Sequence, residues 1–495
     1  MDSLLADLIG TGAPPAFALF LRQNGPVDPA ALAASLNALR LQSLSAWHLT
    51  VLSSEADGHD SVASAVSAFG DGLAAQVSVI TPADDAWNAP LSASDALTGL
   101  LCPGDELGVD ALMELAMASL LRPDADFIYA DESRISPATH EREPFFKPDF
   151  SPDLLLSTNY IGRPWIVRSA LLSALSVTPA GLAADGEYDL VLRATEAASH
   201  IHHVPKLLCA RGPADLDAAG PSLAALRRAA VRRDTPAEIV PAAVDGTWRF
   251  KRRIGIPGKV SIIIPTCAAH GYIETCLDTL RAKTTYPDYE IIVIDNIPDS
   301  QIAWKIWLQQ HVDKIVDMPH AFNWSRFNNT AVDVADGEYL LFLNDDIEFG
   351  QDDWLETLME HAQRPDVGIV GPQLLYPDGK VQHAGMFLAN NGIGRHAFRF
   401  AAADEPGYFG LALTQRNVIA VTGACMLVRR EVFDRLGRFD EAHEIVNNDL
   451  DYCLRSHRAG LLTVFTPYAT LIHHELASRE RLKDVFDLSL FNHHW

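Results

Sequence analysis

The chain has 495 residues, 48% of them hydrophobic and 21% charged, with 39 Lys and Arg against 64 Asp and Glu for a formal net charge of −25. That length exceeds one ordinary core, so two or three domains are expected, and the acidity argues against a nucleic-acid-binding protein. No apolar run reaches the roughly 18 residues that cross a bilayer, MDSLLADLIG lacks the basic n-region of a signal peptide, and six scattered cysteines without a CxxC pair fit reduced thiols in a cytoplasm rather than a zinc ribbon.

In chain order, FALFLRQ reads as a strand, ALAASLNALRLQSL as a helix and WHLTVLSS as a second strand, followed by ALTGLLCPGDEL, EYDLVLR and HHVPKLLCAR. The basic segment from Arg227 to Lys259, with RRAAVRR and WRFKRR, reads as a solvated connector between domains, with the alternative of contact with anionic headgroups. The pattern then restarts. KVSIIIPT is a β-branched run, YIETCLDTLRAKTTY has helical spacing and YEIIVIDN is again a strand, which together predict a βαβ unit in a parallel sheet. YLLFLNDDIEF, Tyr339 to Phe349, is a later strand interrupted by Asn344, Asp345 and Asp346. A strand buried on both faces offers solvent to carboxylates only at its end, and the carboxyl ends of parallel strands are where open α/β sheets bind ligands. NDLDYCLRSHRAG reads as a helix, and ATLIHH as a strand ending in His473 and His474.

The two halves echo each other. FALFLRQ parallels SIIIPTC, WHLTVLSS parallels YEIIVIDN, ALTGLLCPGDEL parallels YLLFLNDDIEF, EYDLVLR parallels DLDYCLR, and the VP of HHVPKLLCAR parallels the TP of VFTPYATLIHH, all in the same order. This predicts an ancient duplication of one α/β domain.

Ligand-capable residues end the strands of the second half: Asp295 and Asn296, then Asn344, Asp345 and Asp346, with Asp449 and Asp451 opening a helix and His473 closing the last strand. Carboxylates with an imidazole and no cysteine cluster suit Mg²⁺ or Mn²⁺. A hard cation held by one or two carboxylates completes its shell with substrate phosphates and water, so the pattern suits a diphosphate.

VSIIIPT, EIIVIDN, FNWSRFNNTAV, YLLFLNDDIEF, VQHAGMFL, AVTGACMLVRREVFDRLGRFDE, NNDLDYCLRSHRAGL and TPYATLIHHELASRE follow one another over 259 to 481. In these stretches the chain resembles the family 2 glycosyltransferases of GT-A fold, of the bacterial polysaccharide and O-antigen type. The resemblance implies two GT-A domains in tandem, each α/β and Rossmann-like with a mostly parallel sheet and flanking helices: 1–215 degenerate, 216–258 a linker, 259–495 catalytic. It implies a nucleotide-sugar donor, a glycan or lipid-linked acceptor, Mg²⁺ or Mn²⁺, and inversion at the anomeric carbon. The reduced thiols predict a cytoplasmic location, the basic segment together with the resemblance predicts peripheral contact with the inner membrane, and a homo-oligomer is a further expectation.

Residue by residue, the resemblance implies that Pro265, Thr266, Asp295 and Asn296 frame the nucleoside, with Asn328 and Asn329 against the donor. Asn344, Asp345 and Asp346 occupy the DxD position, where Asn344 replaces the first acid, and Asp346 and His473 are the metal ligands, with His474 as the less favoured alternative to His473. Asp449 matches the general base, preceded by Asn448 where many relatives have Glu. Thr422, Gly423, Ala424 and Asp451 fall on the acceptor side, although Asp451 and Arg455, four apart on a helix, also read as an ion pair. His383 of VQHAG reads either as a substrate contact or as a satisfied buried histidine. Trp304, Trp307 and Trp324 read as core.

DFIYADESR, FFKPDFSPDLLLSTNYIG and GEYDLVLR of the first half resemble the amino-terminal modules of tandem members. The expected nucleoside acid falls at Ser53 or Ser54, the DxD position reads Cys102-Pro103-Gly104-Asp105, the base position holds Glu187, and Arg211 or Ala210 stands in place of the histidine. A domain without transferase activity is the expected outcome, against the alternatives of a bifunctional polymerase, in which Asp149, Asp153 and Asn159 bind a sugar, and of a non-enzymatic glycan-binding scaffold. A sugar-nucleotide pyrophosphorylase is disfavoured because PTCAAHGYIE has no Gly-rich basic loop.

Overall fold

The computed structural model describes residues 15–23, 28–53, 62–64, 66–67, 75–81, 96–135, 141–177, 179–212, 223–389, 392–475, 491 and 495. The expected Ser54 and the LASRE segment lie outside the described residues. The chain divides into two compact units, one of residues 1–151, 155–235 and 246–248, the other of 152–154, 236–245 and 249–495.

The first unit is built on β1 (Phe17–Gln23), β2 (Trp47–Ser53), β3 (Val77–Ile80), β4 (Leu97–Leu101), β5 (Glu106–Leu107), β6 (Phe127–Ile135), β7 (Arg142–Phe145), β8 (Trp165–Arg168) and β9 (Ile201–Ala210). Next come β10 (Ala237–Pro241) and β11 (Trp248–Arg252), a two-stranded sheet. The second unit contains β12 (Val260–Thr266), β13 (Tyr289–Asp295), β14 (Lys314–Asp317), β15 (Tyr339–Leu343), β16 (Ile347–Phe349), β17 (Val367–Leu375), β18 (Val381–His383), β19 (Met386–Leu388), β20 (Gly394–His396), β21 (Arg416–Asn417), β22 (Cys425–Arg429) and β23 (Leu462–His473).

The first sheet runs β3-β2-β1-β4-β8-β6-β9-β5 with β7 on β6, and the second runs β14-β13-β12-β15-β22-β17-β23-β16 with β18 on β17. Replacing each strand by its counterpart turns one order into the other, including the two antiparallel joins at β8 and β22. The α/β class expected for both halves is therefore observed, and the repetition is one of topology as well as of sequence. The β19–β20 hairpin has no counterpart among the described residues of the first unit.

The central strands form because their side chains are apolar on both faces. In β12, Ile262 and Ile264 enter one core while Ile263 enters the other, and β13 and β15 divide the same way, with Ile291, Val293, Leu341 and Leu343 opposite Ile292, Ile294, Leu340 and Phe342. Each such side chain contributes about 1.5–3 kcal/mol on burial. That two-sided burial leaves polar residues only at the strand ends.

The segment 216–258 differs from the expected linker. Among its described residues, Leu223–Arg232 form a helix that buries Ala225, Leu226 and Ala229. Its arginines turn to carboxylates: Arg228 to Asp189 at 3.0 Å, Arg232 and Arg233 to Glu196 at 2.7 and 2.9 Å. In the second unit Arg249 pairs with Glu360 at 2.8 Å, and Arg252 with Asp153 at 2.9 Å. Five of the seven arginines between Arg227 and Arg253 are thus paired, which leaves less of the run's charge for anionic headgroups. Asp153 also accepts from Arg364 at 2.6 Å and from Asn417 at 2.8 Å, so its carboxylate serves this buried cluster rather than a sugar. No helix among the described residues is long and apolar enough to cross a membrane.

Candidate functional site

Parallel pairing places the carboxyl ends of β12, β13 and β15 on one edge, with Thr266 in register with Asp295. Because β22 runs antiparallel to β15, with Leu343 opposite Cys425, the residues before it, Thr422, Gly423 and Ala424, reach the same edge. There the Asn344 amide N–H donates to the Ala424 carbonyl at 3.0 Å. Pairing of Ile347 with His473 delivers that histidine beside Asp346. The helix Asn448–Arg458 starts at this edge as well. Together these ends open onto a cleft of about 740 Å³ lined by Pro265, Thr266, Asn296, Asn344, Asp345, Asp346, Thr422, Gly423, Ala424, Asp449 and His473.

At one corner His473 is oriented by Gln382. The Gln382 side-chain N–H donates to the His473 carbonyl at 3.3 Å, so its Oε1 accepts from His473 Nδ1–H at 2.6 Å. The lone pair on Nε2 is thereby turned toward Asn344 Nδ2 at 3.3 Å and Asp346 Oδ1 at 3.0 Å. A carboxylate oxygen facing an unprotonated nitrogen at that distance needs a cation or an extra proton between them, and a carboxylate with an imidazole and no thiolate fits Mg²⁺ or Mn²⁺. Among the described residues no three His, Cys, Asp or Glu side chains converge on a point that could hold a metal alone, so substrate oxygens and water must complete the shell. His474, the alternative ligand, instead faces Glu348 at 3.3 Å and packs on Tyr272. Asp345 accepts from the Thr266 hydroxyl at 2.5 Å; burial pushes its carboxyl up to about 7, with the Asp346 charge adding and the Thr266 bond opposing. Gln382→Leu is expected to weaken Mn²⁺ affinity by about 10–100-fold, measured by calorimetry in the presence of nucleotide, with the fold intact.

Across the cleft, Asp449 opens the helix Asn448–Arg458 after Asn447, whose φ of 63° is a conformation Asn tolerates better than most residues. Each carboxylate oxygen accepts one backbone N–H, from Gly423 at 2.9 Å and Leu450 at 2.8 Å. Gly423 packs closely: a Cβ there would lie 3.0 Å from the Trp324 ring, which would have to give by a few tenths of an ångström, and in ordinary contact with Asp449 Cβ at 3.5 Å.

Several expected site residues are placed elsewhere. Asn328 is fully buried with its Nδ2 on the Trp324 carbonyl at 2.8 Å, and Asn329 bonds the backbone of Phe439 at 2.9 and 3.1 Å. With Asn323 on Glu441 and Ser325 on His443, Asn329 stitches the helix Trp324–Val332 to the loop that leads to Asp449, whereas Asn328 bonds within its own helix; of FNWSRFNN, Phe322 and Trp324 line the cleft. Asp451 is buried and binds Arg455 at 2.9 Å and Trp495 Nε1 at 3.0 Å, which corrects its acceptor-side assignment in favour of the ion pair. Asp295 lies at the strand end but is itself engaged, accepting from Ile297 N–H at 2.9 Å and Lys305 at 3.1 Å. Asn296 turns its amide to the carbonyls of Met318 and His320 at 2.6 and 2.9 Å, fixing the cleft wall.

Sequence reading missed Gln382, His396, Arg399 and Glu475, all of which line the cleft; Trp324, read as core, is buried in the core and borders the cleft as well. Gln382 was within reach: neighbours on a strand point to opposite faces, so a buried His383 in VQHAG puts Gln382 on the other side.

The corresponding edge of the first unit is occupied by its own side chains. Register equates Ser53 with Asp295, Ala210 with His473 and, one residue before the β5 and β16 pairs, Asp105 with Asp346. Counting back five from the paired Arg168 and Arg429 equates Arg163 with Ala424. The Arg163 guanidinium donates to Asp105 at 2.5 Å and also to Glu187, bridging the counterparts of Asp346 and Asp449. Beside it the buried Glu132 pairs with Lys147 at 3.0 Å and Arg211 at 3.1 Å, as well as with Arg134. Burial pushes the Glu132 carboxyl up, but these cations together hold it well below the usual range. Arg163→Met strands two carboxylates and is expected to cost about 3–5 kcal/mol, read as a lower urea midpoint for this unit.

Residues 261–437 match the family model described as Glycosyl transferase family 2. The chain is 38% identical over 397 residues to the O-antigen biosynthesis protein RfbC of Myxococcus xanthus, covering 77% of this chain and 31% of that protein. It is 32% identical over 498 residues to the uncharacterized protein y4gI of Sinorhizobium fredii, covering 92% and 54%. Over 156 residues it is 30% identical to the N-acetylglucosaminyl-diphospho-decaprenol L-rhamnosyltransferase of Mycobacterium tuberculosis, covering 29% and 49%. The chain thus spans about a third to a half of the length of these relatives.

Proposed function

The chain carries a bacterial family 2 glycosyltransferase domain, and on that premise we propose that it moves a hexosyl or deoxyhexosyl group from a nucleoside-diphosphate sugar to a hydroxyl of a glycan or lipid-linked acceptor, with inversion, in surface polysaccharide synthesis. One observation carries this reading: a cation-type corner, Asp346 with His473, and a base-type carboxylate, Asp449, share one cleft. The names of the relatives, an O-antigen biosynthesis protein and a rhamnosyltransferase acting on a lipid diphosphate, support the acceptor class.

Asp449 takes the proton of the acceptor hydroxyl as that oxygen bonds to the anomeric carbon and the bond from that carbon to the diphosphate oxygen breaks. Pro265, Thr266 and Asn296 form the nucleoside wall. Asp346 and His473 would hold a divalent cation, Mg²⁺ or Mn²⁺, which when bound neutralises charge on the leaving diphosphate. Gln382 keeps the His473 Nε2 lone pair aimed for that role, and the Asn344 amide caps that lone pair when no cation is bound. The work is assigned to the cytoplasmic face of the inner membrane, on the strength of the acceptor class rather than of the basic segment.

The first unit is assigned a non-catalytic role, because Arg163 fills the space between Asp105 and Glu187. Calorimetry with UDP, dTDP and GDP, with and without Mn²⁺, tests both parts. One metal-dependent nucleotide site per chain is expected. Two sites would favour the bifunctional polymerase, and none would favour a glycan-binding scaffold.

A further inference from the structure

The VQHAG motif acts on both sides of the cleft. Gln382 sets the tautomer of His473, as described above. On the other side, Gly385 adopts a φ of 81°, open to glycine, and turns its N–H back onto His383 Nε2 at 3.3 Å. The proton of His383 is then on Nδ1, where it meets His396 Nδ1 at 2.8 Å. That hydrogen bond requires one donor and one acceptor, so His396 carries its own proton on Nε2. Burial lowers the pKa of both imidazoles, consistent with a neutral pair.

His396 lines the cleft, and no protein group bonds its Nε2 among the described residues. Its strand is keyed to the base. A Cβ on Gly394 would lie 2.7 Å from Leu450, the neighbour of Asp449, and 2.9 Å from Met386 across the hairpin. Met386 N–H in turn donates to the Ala420 carbonyl at 2.9 Å, just ahead of Thr422 and Gly423. The hairpin therefore holds a neutral N–H donor on the same cleft as the base carboxylate. A neutral donor suits a neutral oxygen. The one basic side chain lining the cleft among the described residues, Arg399, is paired with Glu475 at 3.1 Å.

We propose that His396 is an acceptor-binding residue, its Nε2–H donating to a hydroxyl oxygen of the acceptor sugar, and that His383 is the positioning residue that fixes its tautomer. The assignment rests on the transferase reading and extends it to the acceptor side.

The test loads the full chain with Mn²⁺ and whichever of UDP, dTDP and GDP binds, then titrates methyl glycosides of rhamnose, galactose and N-acetylglucosamine by saturation-transfer NMR. At least one glycoside is expected to bind the wild type. His396→Ala should weaken that binding about tenfold and His396→Gln, which retains an N–H donor, less than threefold, with the nucleotide dissociation constant unchanged in both. Histidine ¹⁵N spectra should show the Nε2–H tautomer at His396, lost in His383→Phe. Unchanged glycoside binding in His396→Ala, no glycoside binding to the loaded wild type, or an Nδ1–H tautomer at His396 would overturn the assignment while leaving the donor site standing. Absence of nucleotide binding by the wild type would overturn the transferase reading and this assignment with it.

Discussion

Asp449→Asn is expected to lower kcat by about 10²–10⁴-fold, the range supplied by a positioned general base, while the nucleotide dissociation constant stays within a factor of two. In barrier terms this is about 2.7–5.5 kcal/mol. The substitution is close to isosteric and keeps one oxygen to accept from either Gly423 or Leu450, the two N–H groups that orient the carboxylate at 2.9 and 2.8 Å. It removes the capacity to take a proton. The proposed donor site lies across the cleft on Thr266, Asn296, Asp346 and His473, so the loss should appear in turnover and not in affinity. A kcat within threefold of wild type would exclude Asp449 as the base. A parallel collapse of nucleotide binding would instead indicate that the helix Asn448–Arg458 had moved, and a melting scan of the variant separates that case. Gly423→Ala provides a graded control. Its methyl would meet the Trp324 ring at 3.0 Å, so either the ring or the segment whose Gly423 N–H donates to the carboxylate must shift by a few tenths of an ångström, while Asp449 itself is retained.

The parts of this site written into the sequence are those fixed by period and position. Ile262 to Ile264 and Leu340 to Leu343 had to be two-sided strands because no polar residue interrupts them, and the polar residues that follow could only be ends. The parts that escaped are those fixed by partner choice. Asn328 and Asn329 have the composition of ligands, but the helix Trp324–Val332 turns one to its own backbone and the other to the Phe439 loop. Asp451 follows Asp449 by two on a helix, about 200° around, so the two cannot serve one cleft. His396 could not be found by reading strand ends at all, because it lies on a hairpin inserted into the duplicated plan. In the first half, the loss of the acid opposite Asp295 at Ser53 and of the His473 position at Ala210 was legible. The plug was not: nothing in the order of residues says that Arg163 reaches both Asp105 and Glu187, since that depends on where one long side chain comes to rest.

Asp346→Ala is expected to abolish the metal dependence of nucleotide binding. With Mn²⁺ present the wild type should bind its nucleotide at least about 100-fold more tightly than the variant, because a direct ligand costs more than the 10–100-fold typical of an outer-shell partner such as Gln382. With chelator present the two proteins should bind equally and weakly, since the contacts proposed for Thr266 and Asn296 are common to both. Folding should be spared. In the wild type without metal, Asp346 Oδ1 faces His473 Nε2 at 3.0 Å with Gln382 already holding the Nδ1 proton, and removing the carboxylate relieves that opposition. His473 keeps Gln382 on one nitrogen and Asn344 Nδ2 on the other, so the corner stays hydrogen-bonded. The metal-free variant should therefore melt no lower than the metal-free wild type. Addition of Mn²⁺ and nucleotide at 100 times the dissociation constant should stabilise the wild type by about 2.7 kcal/mol and the variant hardly at all. An equal rise in both proteins would mean that the cation binds elsewhere, and the pairing of Asp346 with His473 would then be an internal hydrogen bond of a protonated histidine. A variant that melts lower without metal but keeps its metal response would point the same way. The combination of unchanged metal-free stability and lost metal response is the one that a ligand role alone produces.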